Sequence, residues 1–283
     1  MNKLSFNKIR LCAGSGYVQW LFSSKMLIYF AAMFFFYDYA ALPLLNTADK
    51  VGTRLNLLEI FIAVGNSGMI LLILPVLFIV LISGFPRLDG NSLFIVIRTG
   101  RLNWLIAQYL QLFYMAVTYL AALFLGTALP AVRQCGIFSG WSSVIPEYIR
   151  NSPEKRNSFV YELLPENLSN QLEFPKAFMY TVTLEFMYLM LIGSVMIIFG
   201  TLGKSKFGEA IAGGVVAAGT VLCAIKSKLM WSFPAANATL KLHFTQFLRE
   251  PVFPLYRSYL YFSAAISVTM IAAFLLNKRN NYL

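Results

Sequence analysis

Two carboxylates in apolar surroundings are the residues of this sequence best placed to carry chemistry. Glu185 stands well inside the apolar run 176–202, and Asp38 stands near the end of the run 21–42. A charged side chain in hydrocarbon is costly, so such residues usually face a bundle interior or a water-filled path. We therefore interpret Glu185 and Asp38 as candidate lining residues of a transport path. For Glu185 the alternative is a structural polar group that is satisfied inside a helix bundle.

A basic segment around a short apolar stretch is the second candidate site. Residues 93–97 (LFIVI) precede the stretch 98–101 (RTGR), and five apolar residues are too few to cross a membrane. They predict a short helix at the membrane interface, then a glycine break and a membrane helix, with the arginines at the level of the lipid headgroups. Such a basic surface can dock onto a partner protein, and the alternative is an anchor that contacts only lipid. The residues assigned to it are Leu93, Phe94, Arg98, Arg101, Asn103 and Trp104.

Metal and nucleotide chemistry are disfavoured by the residues present. The three cysteines lie far apart and His243 is the only histidine, so the usual zinc ligands cannot be assembled. The stretch 203–205 (GKS) is like the end of a phosphate-binding loop, but Ile198 occupies the position where that loop needs a glycine. We expect neither a bound cofactor nor a metal, and we expect no enzymatic activity from this chain.

Composition identifies the class of protein that must position these residues. Of the 283 residues 58% are hydrophobic and only 12% are charged, and the mean hydropathy is +0.66. An ordinary soluble domain has about a quarter charged residues, so a soluble globular protein is excluded. The formal net charge of +11 would suggest a nucleic-acid partner in a soluble protein. In a membrane protein it is a topology signal, and no nucleic-acid binding is expected.

The apolar runs predict an all-α integral membrane protein with a single transmembrane domain over residues 1–283. Six runs have the length of about twenty residues that a helix needs to cross the hydrocarbon core. They are 21–42, 59–84, 105–129, 176–202, 208–225 and 258–276, preceded by an amphipathic segment over 1–20. The longest connection, 130–175, and the polar but aromatic segment 226–257 would lie on the same side of the membrane.

The distribution of basic residues predicts that both chain ends lie inside the cell. The positive-inside rule gives most weight to short connections near the membrane. With the N-terminus inside, the inner segments have only Asp89 and Glu209 as acids, whereas the outer segments have many. The basic residues of the inner segments are Lys3, Lys8, Arg10, Arg87, Arg98, Arg101, Lys204, Lys206, Lys278 and Arg279.

Small residues in the fifth run predict close helix packing. Ala210, Gly214 and Ala218 recur every four residues, which lets a second helix approach closely. We expect this stripe to pack within one subunit, although a dimer interface is allowed. The segment 226–257 is too polar to span, and we expect short broken helices that dip into the outer interface and pack on protein. An ordinary amphipathic outer loop is the alternative there.

The whole layout resembles the permease subunit of an ABC-2 type ATP-binding-cassette exporter of the ABCG-like structural class. The stretch 98–105 (RTGRLNWL) is similar to the family's pattern between the second and third helices, where a coupling helix contacts the ATPase. The segment 226–257 resembles the family's re-entrant hairpin between the fifth and sixth helices. The resemblance implies a dimer with an identical or related second permease. The dimer interface of that family is formed by the first, second and fifth membrane-spanning helices. The resemblance also implies two copies of a separate ATPase subunit, which bind the ATP and magnesium.

The function that this resemblance implies is outward transport across a bacterial cytoplasmic membrane. The aromatic, weakly charged bundle suits an amphipathic or hydrophobic substrate such as an antimicrobial peptide, a lipid or a drug. Two alternatives remain. One is an integral accessory or sensor subunit that holds a partner through the outer loop 130–175 and transports nothing. The other is a secondary transporter, which the scarcity of intramembrane charge disfavours.

Overall fold

A computed structural model describes residues 4–86, 90–154, 158–245 and 251–279, most of which are helical. Five helices are long and apolar enough to cross a membrane, and a bent pair of helices forms a sixth crossing if it counts as one span. The five are Lys25–Val51, Arg101–Ala128, Phe174–Thr201, Ser205–Ala224 and Leu255–Lys278. The predicted all-α, multi-pass membrane protein is confirmed at this level, with five or six crossings.

The elements are numbered in chain order. The first seven helices are α1 Phe6–Leu21, α2 Lys25–Phe36, α3 Leu42–Val51, α4 Leu57–Asn66, α5 Ile70–Leu81, α6 Gly90–Thr99 and α7 Arg101–Ala128. The others are α8 Val144–Asn151, α9 Phe159–Leu163, α10 Glu166–Gln171, α11 Phe174–Thr201, α12 Ser205–Ala224, α13 Pro234–Ala238 and α14 Leu255–Arg279. Two short strands, β1 Leu55–Asn56 and β2 Cys135–Gly136, pair in parallel. The last four predicted spans match α7, α11, α12 and α14 to within four residues at either end.

The first long helix extends beyond its predicted end at residue 42. A π-helical turn, Tyr37–Ala41, joins α2 to α3 without interrupting the helix. Pro43 stands in the first turn of α3, just after this π turn, and a proline is tolerated at such a position because the hydrogen-bond pattern already changes there. The helix ends only at Gly52, which takes the left-handed conformation (φ 77°) that favours glycine after a helix.

The predicted span 59–84 is not one unbroken helix, because the helix breaks after Asn66. The axes of α4 and α5 differ by 86°. The Asn66 side chain donates to the Ile62 carbonyl (2.9 Å), and its Oδ1 accepts from the Lys241 backbone N–H (2.9 Å). Hydrogen bonds from the side chain and from a distant segment therefore take the place of the next turn of helix, and Ser67 continues in an extended conformation.

Helix α11 is the centre of the bundle. It packs against α4, α5, α7, α12, α13 and α14. Helix α1 lies along the first two thirds of α7, and the Tyr17 hydroxyl is hydrogen-bonded to that of Thr118 (2.6 Å).

Hydrogen bonds define two ends of the bundle. At the first, which we call the α6 end, the Ser5 N–H donates to Asn103 Oδ1 (3.1 Å) and Asn277 Nδ2 donates to the Arg101 carbonyl (3.1 Å). Residues near both termini of the described chain thus lie at one end of the bundle, as the predicted topology requires.

The opposite end, which we call the loop end, consists of the connection around β1, the segment with α8 to α10, and residues 226–245. Asn56 Nδ2 donates to the carbonyls of Phe138 and Gly140 (both 2.9 Å), and the buried carboxylate of Glu59 accepts from the Ser142 hydroxyl (2.7 Å). The predicted outer loop 130–175 is therefore anchored on the start of α4.

Candidate functional site

The junction between α6 and α7 is a sharp turn held from several sides. Gly100 has φ 87° and ψ 142°, a conformation that only glycine adopts readily, so the chain changes direction between the two helices. Asn103 Nδ2 donates to the Thr99 carbonyl (2.8 Å), which ties the two helices together. From α1, Lys8 Nζ donates to the Arg98 carbonyl (3.1 Å). Helix α6 is therefore fixed to α7 and α1.

The outward surface of α6 carries part of the predicted docking set. Phe94 and Ile97 are 69% and 64% exposed, and Arg98 and Arg101 are exposed as well. We call Phe94, Ile97, Arg98 and Arg101 the α6 surface. The side chain of Leu93 lies outside the described residues.

The predicted contact role of Asn103 and Trp104 is corrected by their burial. Each is only 2% exposed. They lie under the α6 surface and hold it in place, because the start of α7 is packed against other helices. The amphipathic pattern of α6 could be recognised in the sequence, but the side of α7 that faces inward depends on which helices surround it.

Glu185 lies inside the bundle without a hydrogen-bond partner among the described residues. It is 3% exposed and projects from α11 toward the end of α4. A Cβ on Gly65 would stand 3.7 Å from Glu185 Cγ and 3.9 Å from Oε1, which are ordinary van der Waals distances, so the Glu185 side chain lies next to Gly65. One turn further along α11, the buried Tyr188 hydroxyl also lacks a hydrogen-bond partner in the described chain. An unpaired carboxyl group therefore lies beside the break between α4 and α5.

Asp38 lies in a different environment and does not meet Glu185. It is exposed, and it belongs to the π turn Tyr37–Ala41. Because the helix continues to Val51, Asp38 is the middle residue of the 27-residue helix Lys25–Val51. The second half of this helix projects into the loop end, however, because α3 packs against α8 and α9 and the Tyr39 ring contacts that of Phe159 (4.8 Å between ring centroids). Met33 already lies against Gly126, two residues before α7 ends, so Asp38 lies toward the loop end, in agreement with its predicted position near the end of the span.

The stripe of Ala210, Gly214 and Ala218 does not pack within this chain as predicted. All three residues are exposed, and no atom lies within 4 Å of a Cβ built on Gly214. The inward face of α12 is another row at nearly the same spacing, and its small residues are what allow α11 and α13 to approach. Its members are Gly208, Ala212, Val216, Gly219 and Cys223. The sequence holds two such rows, and only the packing distinguishes them.

Three helices share one outward face. Helix α5 packs against both α2 and α12, and it leaves a partly exposed apolar row between them. We define the α2–α5–α12 face by the exposed residues Phe30, Phe34, Asp38, Leu42, Leu72, Val76, Val80, Ala210, Gly214 and Ala218. Asp38 is the one charged residue of this set.

The segment 226–245 contains a buried polar chain that the sequence analysis missed. His243 Nε2 lies 2.8 Å from Ser258 Oγ, and the Ser258 hydroxyl donates to Asn237 Oδ1 (2.8 Å). Asn237 Nδ2 donates in turn to the carbonyls of Trp231 and Phe233 (2.8 and 2.9 Å). No local spacing signals this chain, because Ser258 lies on α14. Short helices packed on protein, as expected for 226–257, are present, and the described part of this segment ends at residue 245 and resumes at 251.

Burial shifts the titration of two groups in this segment. The pKa of His243 is lowered to about 4, chiefly because burial penalises the imidazolium, with partial compensation by hydrogen bonds to the backbone at Thr239 and Leu240. The pKa of Lys241 is also lowered by burial, against an opposing effect of Glu162. Neither group belongs to a metal site, since no group of three His, Cys, Asp or Glu suited to a metal occurs in the described ranges.

Comparison of the chain with protein-family models, with curated proteins and with solved structures finds no match. The functional argument therefore depends on the α6 surface, on the α2–α5–α12 face and on the buried Glu185.

Proposed function

We propose that this chain is the membrane-spanning permease subunit of an ATP-driven bacterial exporter, in which a separate ATPase docks on the α6 surface. The observation that carries the proposal is the fixed position of α6. A short helix with exposed Phe94, Ile97 and Arg98 is held by α1 and α7, so a push on it passes directly into the long helix α7. Two copies of the ATPase would bind the ATP and magnesium.

The proposed orientation places the α6 end in the cytoplasm and the loop end outside. The support is the concentration of basic residues at the α6 end, which fits the positive-inside rule. Exposed members of that group are Lys8, Arg10, Arg98, Arg101 and Lys278. The cell membrane of a bacterium is the proposed location.

A second permease subunit, identical or related, would pack on the α2–α5–α12 face. The exposed small residues Ala210 and Gly214 allow a close approach of helices, and apart from Asp38 the other residues of the face are apolar. Closure of the ATPases would push the two α6 helices, rock the bundles and open a path between the subunits for an amphipathic or hydrophobic substrate.

The test reverses the charges of the α6 surface. We expect the double variant Arg98→Glu and Arg101→Glu to lose copurification of a nucleotide-binding subunit and ATP-dependent transport in vesicles, while its thermal unfolding matches the wild type. Lys278→Glu is the matched control, because it reverses an exposed charge at the same end but outside α6. Full ATP-dependent transport by the double variant would show that α6 is not the coupling element.

The break between α4 and α5 favours a second candidate function, a secondary transporter. Discontinuous helices beside a buried ionisable group form the ion sites of many such transporters, and Glu185 lies beside this break. Transport that follows an ion gradient, persists without ATP and is unaffected in the α6 double variant would support this candidate over the exporter.

A further inference from the structure

A cavity of about 110 Å³ lies toward the α6 end, between α1, the end of α5, α6 and α7. Two glutamines of α7 line it. Gln108 and Gln111 are only 6% and 7% exposed, and neither amide group is hydrogen-bonded within the described chain. Ser23 Oγ, which belongs to a third lining residue, is also buried without a hydrogen-bond partner among the described residues. Because an unsatisfied buried polar group is costly, these three groups indicate a molecule that binds inside the cavity.

Gly16 of α1 sets the position of the Gln111 amide. A Cβ built on Gly16 would stand 2.7 Å from Gln111 Cδ and 2.9 Å from its Nε2, which is too close for any real side chain. The amide therefore lies directly on the backbone of α1, and the two helices enclose the cavity between them.

The charge and the size of the cavity favour a phosphate group. Lys25 lines it, and its Nζ donates to the carbonyl and the hydroxyl of Ser83 (both 2.5 Å). No Asp or Glu occurs among its described lining residues. Hydrogen-bond donors beside a positive charge suit an acceptor-rich anion. The volume of about 110 Å³ corresponds to about four water molecules of about 30 Å³ each, which is enough for a phosphate group.

The rest of the lining is typical of the membrane interface. Trp20 and Trp104 both line the cavity, and tryptophan is enriched where the lipid headgroups meet the hydrocarbon. Apolar side chains complete the lining, among them Ile82, Ile95 and Met115. The cavity is thus polar in one part and apolar in another, like the part of a phospholipid where the phosphate and the glycerol esters join the acyl chains.

The cavity opens on the outward side of α1. Ser15 and Gln19 are lining residues that are also exposed. The exposed residues Leu11, Val18 and Phe22 lie beside them on the same helix. A molecule with its polar part in the cavity can therefore place apolar chains along this side of α1.

We propose that the cavity binds the phosphate and glycerol ester groups of a membrane phospholipid, whose acyl chains lie along the outward side of α1. Gln108, Gln111 and Ser23 donate hydrogen bonds to phosphate and ester oxygens, and Lys25 supplies positive charge. Because Ile95 of α6 also lines the cavity, the bound lipid contacts the helix that carries the α6 surface.

Counting retained lipid on the isolated chain tests this inference without the ATPase. The chain is purified in dodecyl maltoside, and native mass spectrometry counts the molecules that stay bound. The probe is dioleoylphosphatidylglycerol, and its partner is dioleoylglycerol, which has the same chains without the phosphate headgroup. We expect the wild type to retain one phosphatidylglycerol per chain and no dioleoylglycerol. Excess inorganic phosphate, which has no acyl chains, is expected not to displace the lipid.

The decisive variant replaces both unpaired amides by leucine. Leucine is similar in size to glutamine but cannot form a hydrogen bond, so the double variant Gln108→Leu and Gln111→Leu is expected to bind phosphatidylglycerol about tenfold more weakly. The unfolding temperature of the lipid-free variant is expected to equal or exceed that of the wild type, because two unpaired buried amides are removed. Gln134→Leu is the matched control, since Gln134 is exposed after the opposite end of α7.

Four results overturn the inference. Equal retention by the wild type and the double variant would show that lipid binds elsewhere on the surface. Equal retention of dioleoylglycerol would show that the acyl chains alone are recognised. Displacement by inorganic phosphate would assign the cavity to a soluble anion, and a wild type that retains no lipid would assign it to water.

The outcomes for this inference and for the proposed function are distinguishable. Retention that depends on Gln108 and Gln111, without any ATP-dependent transport, keeps the inference and refutes the exporter. ATP-dependent transport by a chain that retains no lipid keeps the exporter and refutes the inference.

Discussion

At the scale of single residues, the structure separates groups that the sequence treats alike. Glu185 and Asp38 are both acids in apolar runs, yet one is enclosed by helices and the other is presented outward. Hydropathy identifies both as unusual, because a charged residue is rare in an apolar run, but it does not tell which way either side chain faces. The direction depends on the register of the π turn and on the position of α11 in the bundle, which are tertiary features.

His243 gives a prediction at the same scale. Its pKa is near 6.5 in an unfolded chain and is lowered to about 4 in the folded protein. Between these values the unfolded chain binds the proton more readily, so the free energy of unfolding falls as the pH is lowered from about 6.5 to about 4. The full effect of such a shift is about 3 kcal/mol. Above pH 6.5 His243 makes no contribution to the pH dependence.

Thermal unfolding in detergent between pH 7.5 and pH 4.5 measures this effect. Because carboxylates elsewhere also titrate, the relevant quantity is the difference between the wild type and His243→Gln, which has no titrating ring. We expect the wild type to lose more stability on acidification than the variant. Parallel curves for the two proteins would contradict the role of the buried imidazole.

At the scale of elements, the long helices can be predicted from hydropathy, but the breaks between helices cannot. The last four spans could be predicted to within a few residues because each is a long apolar run. The break after Asn66 could not be predicted, because the hydrogen bonds that hold the Asn66 side chain at the break involve Thr181 and Lys241, which are distant in the sequence. The amphipathic α6 could be predicted, but the burial of Asn103 and Trp104 beneath it could not.

The turn at Gly100 gives a prediction for an element. Its conformation (φ 87°, ψ 142°) is nearly restricted to glycine, so Gly100→Ala is expected to cost about 1–3 kcal/mol and to release the fixed angle between α6 and α7. We expect thermal unfolding of the variant to begin several degrees lower and copurification of the ATPase to decrease.

Gly213→Ala is the matched control for this variant. Gly213 lies within α12 with no atom within 4 Å of a built Cβ, so alanine there is tolerated or slightly stabilising. If Gly100→Ala unfolds at the same temperature as Gly213→Ala and retains the ATPase, the turn does not set the position of α6.

At the scale of the whole molecule, the α2–α5–α12 face predicts how copies of the chain associate. Gly214 is exposed there, whereas Gly219 lies on the inward face, where a Cβ would stand 3.0 Å from Ala235 Cβ. Both positions are glycines of the same helix, so the same substitution probes opposite faces. Leucine favours a helix more than glycine does, so Gly214→Leu is expected to leave the monomer stable.

Because the leucine side chain keeps the helices of two subunits apart, Gly214→Leu is expected to reduce the dimer fraction several-fold at equal concentration. Gly219→Leu is expected to lower the unfolding temperature instead, since its side chain collides with the segment around α13. Sedimentation in detergent measures the dimer, and thermal unfolding measures the fold. A wild-type chain that remains monomeric, or a Gly214→Leu variant that dimerises as well as the wild type, would mean that lipid covers this face. The proposed path between two subunits would then be lost as well.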